Sequence, residues 1–233
     1  MNKQIQWQNN RPYNTQYQDI YFSVAGGLAE SRHVFIEGNN LRSRWQNLKA
    51  GEEFTIFEAG FGSGLNFLTT WQLWLEIKPL GKLCYITCEN NPFNKRQYSQ
   101  ALEPFSDSMP ELIQQFLSII QQPTDTISHF ALQSDVELVV INCDINSLAT
   151  VMPPSPNIDA VYLDGFSPAK NPEMWSVELC KTLFKNSSAG ASAATYSVAG
   201  NVKRNLSSAG FTIQKKPGFG TKREMLYAYK AAT

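Results

Sequence analysis

The stretch Phe57-Glu58-Ala59-Gly60-Phe61-Gly62-Ser63-Gly64-Leu65-Asn66-Phe67 decides the fold. Ahead of it, Phe54, Thr55, Ile56 and Phe57 read as a short buried strand over about 54–58. Behind it, Leu65, Leu68, Trp71, Leu73, Trp74 and Leu75 recur at mixed three- and four-residue spacing, which predicts a helix over about 65–76 packed on a sheet. Glycines at alternate positions let the backbone turn sharply and approach a ligand where any Cβ would clash. The free N–H groups that open the helix favour a carboxylate or phosphate. The turn fits a nucleotide-like cofactor; it also fits a tight strand-to-helix turn that binds nothing.

Outward from this turn, strands and helices alternate. A strand at Lys82 to Glu89 leads into a helix near Pro92 to Leu102. Residues 109–122 form a helix with Leu112, Ile113, Phe116, Leu117 and Ile120 on one face. Ile127 to Leu132 and Val136 to Ile141 predict a hairpin turned at Ser134-Asp135. A strand at Ile158 to Leu163 precedes a helix near Met174 to Phe184, and one at Ser192 to Tyr196 precedes a helix over Val202 to Ala209. Phe211 to Lys215 and Glu224 to Tyr229, around Pro217-Gly218-Phe219-Gly220, read as an antiparallel pair. Repeated βα units imply a doubly wound α/β fold, and an antiparallel pair at the sheet edge is characteristic of its methyltransferase version. Residues 1–50 are polar and aromatic, with short β-like pieces at Asp19 to Ser23 and His33 to Ile36 around Gly26-Gly27. They predict an N-terminal cap on a main domain of 51–233, which carries an insertion at about 105–136.

The 233 residues fit one large domain, and 42% hydrophobic and 12% aromatic content is ample for a core. No run approaches the ~18 apolar residues of a membrane helix, and the start lacks a signal-peptide core, so a soluble cytoplasmic protein is expected. Cys84, Cys88, Cys143 and Cys180 fit that compartment as reduced residues. Cys84 and Cys88 share a strand face, but two histidines and no CxxC give no metal site. Net charge is zero yet unevenly spread. Residues 1–50 carry six Lys/Arg against three Asp/Glu and 201–233 carry seven against one, while 51–200 carry seven against sixteen. A basic zone built from both ends would suit a polyanion and an acidic middle a cation; an ordinary solvated surface would look the same.

Ligands of open α/β sheets bind beyond the carboxyl ends of the strands. Glu58, Glu89, Asp144 and Asp164 fall near such ends. Glu89 is placed to accept from both ribose hydroxyls, which would also suit NAD, and Asp144 from an adenine amino group. Acidic walls suit a sulfonium cofactor and would repel pyrophosphate, although each acid taken singly also reads as a helix cap or loop residue. Asp164 lies in Leu163-Asp164-Gly165-Phe166-Ser167-Pro168-Ala169-Lys170-Asn171-Pro172-Glu173-Met174-Trp175, where an apolar strand delivers a carboxylate to the ligand edge. Such a carboxylate can orient an amine nucleophile and accept its proton, or simply cap a turn.

With these residues in view, the sequence closely resembles the tRNA 5-aminomethyl-2-thiouridine methyltransferases, that is, stand-alone MnmD proteins and the methyltransferase half of bifunctional MnmC. The resembling stretches are Asp19-Ile20-Tyr21-Phe22-Ser23 with Gly27-Leu28 and Glu30; Glu58 to Phe67; Leu163 to Trp175; Ala194-Thr195-Tyr196-Ser197 with Ala199-Gly200 and Val202; and Gly218 through Leu226. The resemblance implies a Rossmann-like methyltransferase with a mostly parallel seven-stranded sheet. It would use S-adenosylmethionine to methylate the primary amine of 5-aminomethyl-2-thiouridine at the tRNA wobble position. It also implies Glu58, Gly60, Gly62, Gly64, Asn66, Glu89, Asn90, Asp144 and Ile145 at the cofactor, with Asp164 meeting the amine. Phe166, Lys170, Met174 and Trp175 would shape the base pocket. Lys203, Arg204, Lys215, Lys216, Lys222 and Arg223 are candidates for phosphate contacts in the anticodon region. The sequence departs from the family at Cys143, where glycine usually precedes the acid, and at Asn186 to Ser192, which stand where a Pro-Gly-Gly turn is usual. Bifunctional members add a flavin domain, and no second dinucleotide motif is present here, so methyl transfer alone is expected. The competing readings are a small-molecule N-methyltransferase or aminopropyltransferase on the same fold, an NAD-dependent oxidoreductase, and a catalytically silent RNA-binding module.

Overall fold

The apolar runs become strands of one sheet, and the glycine turn sits at its centre. The structure, a computed structural model, describes residues 5–8, 11–22 and 26–232. A small antiparallel sheet comes first: β1 (Ile5–Gln8), β2 (Arg11–Asn14) and β3 (Asp19–Ile20). Three helical segments follow, namely α1 (Gly27–Ser31), a π-helical turn at Arg32–Glu37 and α2 (Leu41–Gln46). Next come β4 (Glu53–Ala59), α3 (Leu65–Ile77), β5 (Lys82–Cys88), α4 (Lys95–Leu102), α5 (Pro110–Ile119), β6 (Ile127–Gln133) and β7 (Val136–Ile141). The remaining elements are α6 (Leu148–Val151), β8 (Ile158–Leu163), α7 (Val177–Asn186), β9 (Ser187–Thr195), α8 (Gly200–Ala209), β10 (Thr212–Pro217) and β11 (Glu224–Tyr229).

The main sheet has the order β10-β11-β9-β8-β4-β5-β7-β6. Its five central strands, β9-β8-β4-β5-β7, are parallel, and β11 and β6 run antiparallel to their neighbours. The chain winds from β4 toward β5 and β7, then returns to β8 and β9 on the other side. The crevice beyond β4 and β8 is therefore the topological switch point, where such sheets bind ligands.

Strand parity determines which side chains meet there. Phe54, Ile56, Ala160, Tyr162 and Tyr85 pack in one core with Trp45, Trp71, Trp74 and Phe116, while Phe57, Ala59, Val161, Leu163, Ile86 and Trp175 pack in the core of the opposite face. Glu58 and Asp164 continue the first series, so both carboxylates fall on the side covered by α3. Their strands are in register, Glu58 opposite Tyr162.

Several expected boundaries shift for physical reasons. The sheet has eight strands rather than seven, because the first arm of the Ser134-Asp135 hairpin, β6, pairs along the edge of β7. His33 to Ile36 is helical rather than β-like: a short buried apolar run does not reveal its period, and here Val34, Phe35 and Ile36 are buried, with Phe35 stacked 4.8 Å from Tyr162. Of Asp19 to Ser23 only Asp19–Ile20 is strand, and Ser23 lies outside the described residues. The helix expected from Pro92 starts at Lys95, where Asn94 and Gln97 form a capping box. The one expected from Met174 divides into a 3-10 turn at Pro172–Trp175 and α7, which Ser176 caps by accepting from the Leu179 N–H at 3.2 Å. Residues Ser187 to Ala191, expected ahead of the fifth strand, already belong to β9; the pairing with β8 jumps from Ile158–Ser187 to Ala160–Ser192, so the extra residues bulge out.

Candidate active site

The glycine turn, the ends of β4, β5, β7, β8 and β9, and the N-terminal segment enclose a cavity of about 920 Å³. Gly60 and Gly62 take φ +83° and +52°, and a Cβ on Gly62 would stand 3.2 Å from the Tyr21 ring. Glu89 fixes this turn. Its Oε2 accepts from the Phe61 and Gly62 N–H groups at 3.2 and 3.0 Å, and its Oε1 accepts from the Asn91 N–H at 2.8 Å. An ionised carboxylate offers about four lone-pair positions, so Glu89 keeps accepting capacity toward the cavity.

At the cavity floor one amide joins two carboxylates. Asn66, from the first turn of α3, donates through Nδ2 to Glu58 Oε1 at 2.7 Å and to Asp164 Oδ2 at 2.8 Å. Asp164 Oδ1 accepts from its neighbour's Gly165 N–H at 2.8 Å. Burial pushes the Asp164 carboxyl up to about 6 despite these donors. Glu58 is 1% exposed, and burial first, then the Asp164 charge, holds its carboxyl well above the usual range. Its carboxyl adjoins the buried Tyr85 hydroxyl, whose hydrogen bond, with that of Asn66, offsets only part of this shift. Two carboxylates around one amide do not ionise together, and the one facing the cavity goes first.

The loop beyond Asp164 is held from behind. Tyr196 donates its hydroxyl to the Gly165 carbonyl at 2.8 Å, Trp175 donates Nε1 to the Phe166 carbonyl at 3.0 Å, and Asn205 donates to the Trp175 carbonyl at 2.7 Å. Phe166 lies 4.9 Å from Tyr17, stacked, and 5.0 Å from Tyr21, edge-on, so an aromatic wall borders Asp164. Lys170 reaches the N-terminal segment, donating to the Gln18 carbonyl at 2.7 Å and pairing with Asp19 at 3.5 Å. Lys222 lies 4.2 Å over the Tyr196 ring and pairs with Glu30 at 2.6 Å.

Of the residues singled out from sequence, Gly60, Gly62, Asn66, Glu89, Asn90, Asp144, Ile145, Asp164, Phe166, Lys170, Met174 and Lys222 line the cavity. Glu58, Gly64 and Trp175 stand behind that lining. Gly64 caps α3 against Phe61 and Phe116, and Trp175 is fully buried. Asp144 also caps, accepting from the Asn146 N–H at 2.8 Å. Lys203, Arg204 and Arg223 lie outside the lining and form no ion pair among the described residues. Lys215 instead pairs with Glu224, and Lys216 lies over Tyr227 and donates to the Gly38 carbonyl. Sequence reasoning gave no site role to Tyr17, or to Tyr21, Glu30 and Tyr196, although the last three fall in the stretches that carry the resemblance. Tyr196 was within reach, since it directly follows the carboxyl end of β9; the other three dock on the site over long sequence separations.

A sequence profile of S-adenosyl-L-methionine-dependent methyltransferases matches residues 107–231. The chain belongs to that family. It is 42% identical over 224 residues to the tRNA 5-methylaminomethyl-2-thiouridine biosynthesis bifunctional protein MnmC of Leptospira interrogans, covering 95% of this chain and 34% of the relative. It is 41% identical over 245 residues to the MnmC of Legionella pneumophila strain Corby, covering 97% and 36%. The chain thus spans about a third of the length of the curated relatives it matches. Among solved structures, MNMC2 from Aquifex aeolicus superposes with a TM-score of 0.79 at 20% identity over 99% of this chain and 71% of that one, a shared fold.

The cavity suits the methyltransferase cofactor. Among the described residues, Asp19, Glu30, Glu89, Asp144, Asp164 and Glu173 line it against Lys170 and Lys222, and both lysines are paired with acids. Such a wall attracts a sulfonium cation and repels a pyrophosphate. Glu89 would hold ribose hydroxyls and Asp144 with Ile145 the adenine end, while the backbone at Gly60 and Gly62 borders the cavity without a side chain. Among the described residues there is no cluster of His, Cys, Asp and Glu able to hold a metal ion, and no helix is long and apolar enough to cross a membrane.

Proposed function

We propose that this chain transfers a methyl group to the primary amine of 5-aminomethyl-2-thiouridine at the wobble position of tRNA, in the cytoplasm. The observation that carries the reading is the Asp164 carboxylate, held by Asn66 and the Gly165 N–H on the floor of an acidic cavity and bordered by Tyr17, Tyr21 and Phe166. The names of the relatives that match nearly all of this chain support the choice of RNA nucleoside.

Bound S-adenosylmethionine supplies an electrophilic methyl group on positively charged sulfur. The chain has to present an uncharged amine to it, and an alkyl amine is protonated in neutral water. Each Asp164 oxygen carries one hydrogen bond from the protein and keeps a lone pair, so it can accept an ammonium proton and then orient the free amine. Asn66 and Gly165 fix the plane of that carboxylate, which is what positioning requires. Glu58 stays neutral behind Asn66 and adds no competing charge. Phe166, Tyr17 and Tyr21 offer ring faces on which an unpaired anticodon base can stack. Residues 14–22 and 26–35 then act as the outer wall of the substrate pocket.

The test incubates the chain with S-adenosylmethionine and tRNA carrying 5-aminomethyl-2-thiouridine, followed by nucleoside mass spectrometry. Conversion to the 5-methylaminomethyl nucleoside is expected. Methylation of free amines with the tRNA left untouched would instead establish the small-molecule reading.

A further inference from the structure

Cys88 closes β5 and Cys143 follows β7, the neighbouring strand. The Cys143 N–H bonds back to the Ile141 carbonyl at 3.1 Å, folding the chain toward β5. The two sulfurs stand 3.4 Å apart, and the Cys88 thiol is also 3.4 Å from the Cys143 carbonyl oxygen. Both residues line the cavity, Cys88 buried and Cys143 partly exposed. Cys84 and Cys180 are buried and line no part of it. We propose that Cys88 and Cys143 are a modification site, a thiol pair that a hydroperoxide entering the cofactor cavity oxidises to a disulfide.

The chemistry closes on the residues present. The Cys143 thiolate attacks the peroxide, the O–O bond breaks, and a sulfenic acid forms with release of water. The Cys88 sulfur then attacks that sulfenic sulfur, the S–O bond breaks, and a second water carries away the Cys88 proton. Two thiols and one hydrogen peroxide become one disulfide and two waters, and a dithiol reductant reverses the change. The hydrogen bond between the pair keeps the proton on Cys88 and lowers the Cys143 thiol, and Cys143 is also the more accessible of the two. Bonded sulfurs lie about 2.05 Å apart, so the pair must close by little more than 1 Å.

Closing it moves the residue next to Cys143. Asp144 caps the turn at Ile145–Ser147, and Asp144 and Ile145 form the cavity wall read above as the adenine end. Oxidation should weaken S-adenosylmethionine binding about fivefold, the equivalent of one hydrogen bond. This consequence rests on that reading of the cavity; the disulfide itself does not.

The experiment treats the purified chain with hydrogen peroxide, counts thiols after denaturation, and maps peptides by mass spectrometry. The wild type should fall from four thiols to two, lose the mass of two hydrogens, and yield a linked peptide containing Cys88 and Cys143 that dithiothreitol separates. Cys143→Ser should yield no linked peptide, and a Cys84→Ser, Cys180→Ser chain should still yield it. Absence of that peptide, or over-oxidation of Cys143 alone, overturns the proposal. Calorimetry with S-adenosylmethionine on reduced and oxidised chain then reads the coupling, which equal affinities would refute. A reduced chain that binds none overturns the cofactor-site reading instead and leaves the disulfide result intact.

Discussion

Asn66 gives its two amide hydrogens to two acids, and burial, with the Asp164 charge beside Glu58, sets their order of ionisation. Asp164 titrates near 6 at the cavity, and Glu58 remains protonated beneath it. The carboxylate form of Asp164 is the one that accepts a proton, so turnover should fall as pH drops through about 6, as a pH–rate profile at saturating tRNA would record. Asp164→Asn should cut turnover by about 10²–10⁴ and leave cofactor affinity, read by calorimetry, within a few-fold. Folding carries the opposite sign. A carboxyl raised in the folded state contributes stability only while protonated, below the ordinary aspartate value, and loses it as pH rises through about 6. Asp164→Asn should therefore stabilise the fold at pH 8 relative to pH 4, by up to about 3 kcal/mol in denaturant melts. Glu58→Gln imitates the neutral acid and should keep turnover within about twofold, whereas Glu58→Ala orphans an Asn66 hydrogen and should cost about 1–3 kcal/mol of stability. If the glutamine variant proved as damaged as the alanine one, Glu58 would have to be ionised. Sequence placed Asp164 at the ligand edge because an apolar strand ends there. The resemblance put Glu58 at the cofactor; strand parity and the lid of α3 place it behind the cavity lining, against Asn66.

The strand–turn–helix element that carries the site was the most legible part of the chain, since an unbroken apolar run, alternating glycines and a helical repeat all agree there. Gly62 tests its geometry. Alanine at φ +52° costs roughly 1–2 kcal/mol of backbone strain, and its methyl would press on Tyr21 at 3.2 Å. Gly62→Ala should therefore weaken S-adenosylmethionine binding about tenfold by calorimetry, with a smaller effect on melting. An unchanged affinity would mean that the cofactor does not follow this turn. The segment at Arg32–Glu37 was illegible for a related reason: three consecutive apolar residues satisfy a buried strand and a buried helix equally, and only the tertiary packing, in which Val34, Phe35 and Ile36 all enter the core, distinguishes them. The edge strand β6 was visible as a hairpin arm, but the number of strands in a sheet depends on which edges pair, and no local pattern encodes that. Likewise, Tyr17 gave no signal, and Tyr21 only that of the resembling stretch around it, until β2 and β3 bring both against Phe166.

Across the whole molecule a zero net charge conceals a separation of sign. Acids line the cavity, while much of the terminal basic excess is tied up within the fold: Lys215 in an ion pair, Lys222 against Glu30, Lys216 on the Gly38 carbonyl, and Lys230 on the carbonyls of Phe184 and Ser187. This leaves Lys203, Arg204 and Arg223 without an ion pair among the described residues. Lys203 and Arg204 sit in the first turns of α8, which begins just beyond the ligand edge of β9, and Arg223 adjoins the Thr221 and Lys222 lip of the cavity. A polyanion that presents one base to Asp164 would then find these three cations around the opening and repulsion only in its depth. Each phosphate neutralised contributes roughly 0.7–0.9 to the slope of log affinity against log salt. The combined change Lys203→Glu, Arg204→Glu, Arg223→Glu should therefore flatten the tRNA-binding slope by about two units and weaken binding most at low salt. Cofactor affinity and turnover at saturating tRNA should stay within a few-fold, because none of the three lines the cavity. Filter-binding titrations from low to moderate salt measure this directly, and an unaltered slope would move the RNA path to another face of the molecule.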